Sequence, residues 1–154
     1  MLKSVPPKPS LVVCSTCRLS REEREDARGR RGGAVFFEML STALADHPCQ
    51  GRIVLQQMPC LFACTDHCSA YLRADGRMGY VLGKFAPTRK DAVALLDYIA
   101  HYLDSDTGIV PYGLWPEGVK GHFLVRVPPE GFVWDPAVAE SNAEVVATLE
   151  DEGE

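Results

Sequence analysis

Apolar and polar positions divide the chain into short segments whose period changes from one to the next. Leu11, Val12 and Val13 form a compact apolar run behind the proline-rich stretch 5–9. Proline fixes the backbone and removes donors, so 5–9 predicts an extended arm and 11–13 a buried strand ending at Cys14. Residues 18–33 are polar, dense in Arg and Glu, and close with Gly29, Gly32 and Gly33. That pattern admits a solvated loop or a short exposed helix. Over 34–46 the apolar positions Val35, Phe36, Met39, Leu40, Ala43 and Leu44 follow helical spacing, with Pro48 just beyond the end. A second strand is expected over 52–58, where no breaker intervenes. Two further strands, 69–74 and 79–85, flank the hairpin signal Asp75-Gly76. Thr88 reads as an N-cap with Asp91 three residues on, opening a helix to about Leu103 that buries Ala92, Leu95, Leu96, Ile99 and Leu103.

The order strand–helix–strand, hairpin, helix predicts an α/β architecture of the thioredoxin-like kind, a sheet with helices packed on it. The expected organisation is an N-terminal arm (1–10), a metal-binding domain (11–107), a C-terminal wrap (108–135) with one more strand near 122–127, and an acidic tail (136–154) that could start as a helix at Pro136 and is expected to be disordered over 150–154. Trp115 and Trp134 read as packing anchors for the wrap.

Composition narrows the classes. Hydrophobic residues make up 46% of the 154 and charged residues 24%, a globular rather than a disordered balance. A net charge of −5 argues against a nucleic-acid partner, which would need a basic surface. No apolar run approaches the ~20 residues that cross a bilayer. The first ten residues lack the apolar stretch of ~7–15 residues of a secretory signal, so the expected setting is the cytoplasm, where thiols stay reduced.

Six cysteines therefore need a role other than structural disulfides, and five of them cluster: Cys14 with Cys17, and Cys60, Cys64 and Cys68. A strand–helix–strand unit lays its two strands parallel, ending on the same sheet edge. The loops after Cys14 and after Pro59 should thus stand side by side, on the edge where open α/β sheets carry ligands. Thiolates suit zinc and iron–sulfur clusters, and a [2Fe–2S] cluster takes four, two on each iron. Cys14 with Cys17 and Cys60 with Cys64 supply that set, and the fifth thiol is spare. Cys49, between Pro48 and Gly51 and away from both groups, reads as a half-buried cysteine with no role.

The motifs Val-Cys-x-x-Cys-Arg at 13–18 and Pro-Cys-Leu-x-x-Cys-x-x-x-Cys at 59–68 resemble those of the thioredoxin-like [2Fe–2S] ferredoxins. They are more specifically similar to an uncharacterised bacterial family of cysteine-rich proteins, thought to bind metal and often encoded near cobalamin-biosynthesis genes. Gly108-Ile109-Val110-Pro111 matches a third mark of that family. The resemblance covers roughly 11–130. It implies a [2Fe–2S] cofactor and one-electron transfer to a redox partner protein, with cobalt–corrin metabolism as a setting. The Cys14–Cys17 spacing is shorter than the first pair of those ferredoxins. Cys68 stands where related folds put a proline, and is the alternative ligand.

Other side chains are read plainly. His67 lies within the second cluster and could ligate an iron or complete a zinc site, but five cysteines make a hydrogen-bonding role the simpler reading. His47, His101 and His122 are assigned no chemistry. The Arg/Glu segment reads as a solvated loop, with Arg18 the residue best placed to favour a reduced cluster. No phosphate loop, nucleophile elbow or zinc-protease motif is present in the sequence, so an electron-transfer protein is expected rather than an enzyme. Two alternatives stand beside it: a dithiol oxidoreductase using Cys14 and Cys17, and a zinc or metal-delivery protein. A homodimer is left open.

Overall fold

The computed structural model describes residues 1–135. Its strands are β1 (Ser10–Cys14), β2 (Val54–Met58), β3 (Ala70–Arg73), β4 (Gly79–Leu82) and β5 (Phe123–Val127), with helices α1 (Gly32–Ala45) and α2 (Arg89–Asp104). The order in the five-stranded sheet is β2-β1-β3-β4-β5. β1 and β2 run parallel, and every other neighbouring pair is antiparallel. This is the expected α/β order, with β5 added at the far edge. The acidic tail expected over 136–154 lies outside the described residues.

The core follows from the alternation of side chains across the pleat. Leu11 pairs with Leu72, which faces Tyr80, and Val13 pairs with Ala70, which faces Leu82. All six are almost fully buried and form one cluster with Phe36 and Leu40 of α1 and Leu95, Leu96 and Ile99 of α2. The two helices also pack on each other. Thr88 caps α2 as expected, its side chain accepting from the Asp91 N–H, while the Asp91 carboxylate accepts from the Ala86 N–H. Trp115 donates its indole N–H to Val110 O at 2.8 Å and packs on Phe123, Tyr98 and Tyr112. That contact ties the segment after α2 to β5. Trp134 carries the Arg126 guanidinium over its ring at 4.4 Å. Among the described residues no helix is long and apolar enough to cross a membrane.

Two details differ from the sequence expectation. β4 stops at Leu82 rather than near Phe85, because a register shift falls at Val81/Leu82 and Lys84 turns through φ +64°. Phe85 pairs instead with Cys68, N–H to O in both directions at 2.9 and 3.3 Å. Cys49 is fully buried, not half-buried, with its thiol on Leu96 O at 3.5 Å, and burial pushes it up to about 11. The polar segment before α1 takes the loop form of the two its sequence admits. Asp26 accepts from the Arg28 and Arg30 N–H groups and pairs with the Arg30 guanidinium, which also pairs with Glu38. These contacts close the loop where a helix would have spread the same charges outward.

Candidate metal centre

Parallel pairing sets Cys14, the last residue of β1, opposite Met58, the last of β2. Ser15 N–H then donates to Met58 O at 3.0 Å, so the two cysteine loops leave the sheet together. The first loop is held on several sides. Cys14 N–H donates to Ser69 O at 3.0 Å, and Gly33 N–H donates to Cys17 O at 3.1 Å. The Cys17 thiol meets the Ser69 hydroxyl at 3.6 Å. Although 18–31 intervenes in sequence, the first turn of α1 is seated directly on this loop. A Cβ on Gly33 would lie 1.8 Å from Cys14 O, and one on Gly32 2.1 Å from Arg18 O. Only glycine permits that approach, which explains the Gly-Gly pair opening the helix.

Burial and hydrogen bonding make the two thiols unlike. The Cys17 thiol donates to Cys14, the Leu61 and Thr16 backbone N–H groups and the Thr16 hydroxyl add to it, and together they hold Cys14 well below the usual thiol range against the opposing effect of burial. Cys17 is pushed upward as the proton-holding partner, with burial adding to the effect. Leu61 belongs to the second loop, so one loop's backbone already stabilises charge on the other's thiol.

The second loop has a different character. Cys60 and Cys64 bring their sulfurs to 3.5 Å, and Phe62 N–H donates to Cys60 Sγ at 3.4 Å. Cys60 and Phe62 both sit in the left-handed region, at φ +66° and +60°, an unfavourable conformation for residues with a Cβ. Cys64 is exposed, and its contact with Cys60 raises it above the usual thiol value. Phe62 is 94% exposed.

Cys14, Cys17 and Cys64 line one pocket of about 370 Å³ with Thr16, Arg18, Arg24 and Arg31. Cys60 adjoins it through Cys64. Cys68 does not line it: the residue is fully buried, its thiol is 3.9 Å from Arg18 O, and burial, then the charge of Cys14, pushes it up to about 12. His67, whose peptide to Cys68 is cis, does not line the pocket either. Among the described residues no three His, Cys, Asp or Glu side chains are grouped to hold a metal ion. The donors expected for a cluster thus occur as two pairs on adjoining loops, not as a closed set.

Sequence reasoning missed several members of this site. Ser69 and the Leu61 N–H gave no signal, since neither type nor spacing marks them. Arg24 and Arg31 were visible only as part of a charged run. The Gly32-Gly33 pair was the legible clue, because adjacent glycines at a helix start announce a close backbone neighbour.

The fold has solved counterparts. The chain is similar to a thioredoxin-like [2Fe–2S] ferredoxin from Aquifex aeolicus, with a TM-score of 0.51 and 16% identity, over 83% of this chain and 100% of that chain. A second chain, the wild-type thioredoxin-like [2Fe–2S] ferredoxin of the same organism, aligns with a TM-score of 0.43 and 16% identity, over 66% of this chain and 91% of that chain. At this identity the first likeness speaks to fold: the architecture is thioredoxin-like. No curated protein matches. A family model described as "Protein of unknown function (DUF1636)" matches residues 11–129, most of the chain, and the chain belongs to that family.

Proposed function

We propose that the chain is a one-electron carrier that binds a [2Fe–2S] cluster through Cys14, Cys17, Cys60 and Cys64. The observation that carries this reading is the pairing of β1 with β2, which sets two cysteine pairs on one sheet edge beside one pocket. The donor set fits the group in kind and in number, since such a cluster takes four thiolates, two on each iron. The similar solved protein is named a [2Fe–2S] ferredoxin, which supports the same cofactor here. When bound, the cluster supplies reversible one-electron chemistry.

The chain's own residues divide the remaining work. Cys14 and Cys17 sit 2% and 4% exposed, so their end of the site is the more buried one. Hydrogen bonds from Cys17, Leu61 and Thr16 hold Cys14 as thiolate, the form that ligates iron. Cys60, half-buried, and Cys64, exposed, would supply the second pair of thiolates from the outer loop. Cys68 keeps its proton beneath the site and is the spare thiol. A place in cobalt–corrin metabolism rests on the sequence resemblance alone.

The test is the visible spectrum of protein purified without oxygen, with iron and zinc measured on the same sample. Charge-transfer bands and about two irons per chain are expected, lost in Cys14→Ser and Cys60→Ser and kept in Cys68→Ser. A colourless protein with no iron after reconstitution would sink this reading, and about one zinc per chain would make the site structural or delivering. The hydrogen-bonded Cys14–Cys17 pair favours a second reading, dithiol–disulfide exchange with Cys14 attacking and Cys17 resolving. Disulfide reduction that survives Cys60→Ser and vanishes in Cys14→Ser would favour it.

A further inference from the structure

The pocket over the cysteines has a charge at odds with the rest of the molecule. The chain carries a net charge of −5, yet the pocket is lined by three arginines and no Asp or Glu. One nearby acid, Glu25, meets a pocket arginine, and two others are engaged elsewhere. Asp26 and Glu38 pair with Arg30, and Glu25 meets Arg31 at 3.8 Å. Arg30 does not line the pocket. Arg18 spends its Nε on Ser20 O at 3.4 Å, and Arg31 reaches Thr16 O at 3.2 Å. Arg24 lines the pocket, and its guanidinium has no ion pair among the described residues.

These guanidiniums are not spent on the thiols. Cys14 Sγ meets the Thr16 hydroxyl at 3.9 Å and Cys17 Sγ the Ser69 hydroxyl at 3.6 Å, so the Arg24 guanidinium, unpaired among the described residues, stays available to something entering from outside. A guanidinium meets a carboxylate through two parallel hydrogen bonds. A volume of about 370 Å³ is that of a small-molecule site, not of a flat protein-docking face. We propose that the pocket is a recognition site for small thiols and disulfides that carry carboxylates, with Arg18, Arg24 and Arg31 taking the carboxylates and Cys14, Cys17 and Cys64 meeting the sulfur. The proposal concerns the reduced, metal-free protein and stands or falls separately from the cluster reading.

Thiol–disulfide exchange with probes of different charge tests it on the full-length, fully reduced chain. In the exchange a protein thiolate attacks the probe and expels one probe thiolate. A second protein thiol then displaces the other half, so two thiols are oxidised as one disulfide is reduced. The probes are dianionic dithiobis(nitrobenzoate), neutral dithiodipyridine and dicationic cystamine, each rate divided by that of the same probe with mercaptoethanol. The anionic probe is expected to be favoured over the neutral one by about tenfold and the cationic probe disfavoured, with the preference shrinking between about 0.05 and 0.5 M salt. Arg24→Gln should remove several-fold of that preference and Arg24→Lys should keep most of it. Arg21→Gln, in the same loop but off the pocket lining, should change nothing. Millimolar succinate should slow the anionic probe in the parent protein and not in Arg24→Gln. Thermal melts of each variant separate lost recognition from lost folding. Normalised rates that ignore probe charge, or equal losses in Arg24→Gln and Arg21→Gln, overturn the proposal.

Discussion

The two cysteine loops leave the same sheet edge side by side, yet they are built in opposite ways. The loop after β1 buries both its cysteines, is seated on the first turn of α1 and is bonded to Ser69. The loop after β2 is open, with Cys60 and Phe62 in left-handed backbone and Cys64 exposed. The more buried loop is also the one whose thiol is made acidic, which burial alone would prevent. Cys14 overcomes its desolvation because several donors converge on it. Cys64 has water around it and one thiol beside it, and the thiol raises it. The pair of loops therefore reads as one prebuilt, tightly bonded half of the candidate site and one open half.

Breaking the prebuilt half should have the largest effect. Gly33→Ala places a methyl 1.8 Å from Cys14 O, a backbone collision that no rotamer change relieves. Destabilisation of roughly 3–5 kcal/mol is expected, well above the ordinary cost of overpacking. Urea unfolding measures it. A loss below about 1 kcal/mol would mean that α1 is not seated on the loop as described.

The difference in acidity offers a second test, read by alkylation against pH followed by peptide mapping. In the reduced protein Cys14 should alkylate with a midpoint below the ordinary thiol range, and Cys64 with one above it. The same shifts act oppositely on stability. Cys14, depressed on folding, contributes stability that is present above the unfolded thiol value and is lost as pH falls through its folded value. Cys64, raised on folding, contributes stability that is present below the unfolded thiol value and is lost as pH rises through its folded value. If the exposed cysteine proved the more acidic, the convergence of donors on Cys14 would be wrong.

How much of this was legible in the sequence depends on the range of the interaction. Helical periodicity marked α1 and α2, and the Thr88–Asp91 cap was marked by residue type, because each is decided within a few residues. Parallel placement of β1 and β2, and hence the meeting of the cysteine loops, followed from the handed crossover rule. The stop of β4 at Leu82 was not legible, because Phe85 leaves the ladder to pair with Cys68, a partner 17 positions back. The polar segment 18–31 was legible as a solvated loop, but the form it takes was not, since that depends on Asp26 accepting from two backbone N–H groups at once. Ser69 marks the limit: a buried hydroxyl beside Cys17 arises only once β3 lies next to β1.

Ser69→Ala sharpens the comparison at a smaller scale. It removes the hydroxyl beside Cys17 and leaves the Ser69 carbonyl that accepts from Cys14 N–H. A loss of about 1 kcal/mol is expected, the usual net worth of one such bond. The Cys17 thiol loses a partner that holds its pKa down, so it should become still harder to alkylate.

The smallest effect, and the one of opposite sign, belongs to the open loop. Phe62 is 94% exposed and holds φ +60°, so its ring buries almost nothing while its Cβ makes the backbone unfavourable. That conformation costs a residue with a Cβ about 1–2 kcal/mol. Replacing it with glycine removes the cost, and the added freedom of the unfolded chain returns about 0.5–1 kcal/mol against the fold. Phe62→Gly should therefore leave stability unchanged or raise it by up to about 1.5 kcal/mol. A clear loss would mean that the ring has a partner in solution, and the second loop would then be as fixed as the first.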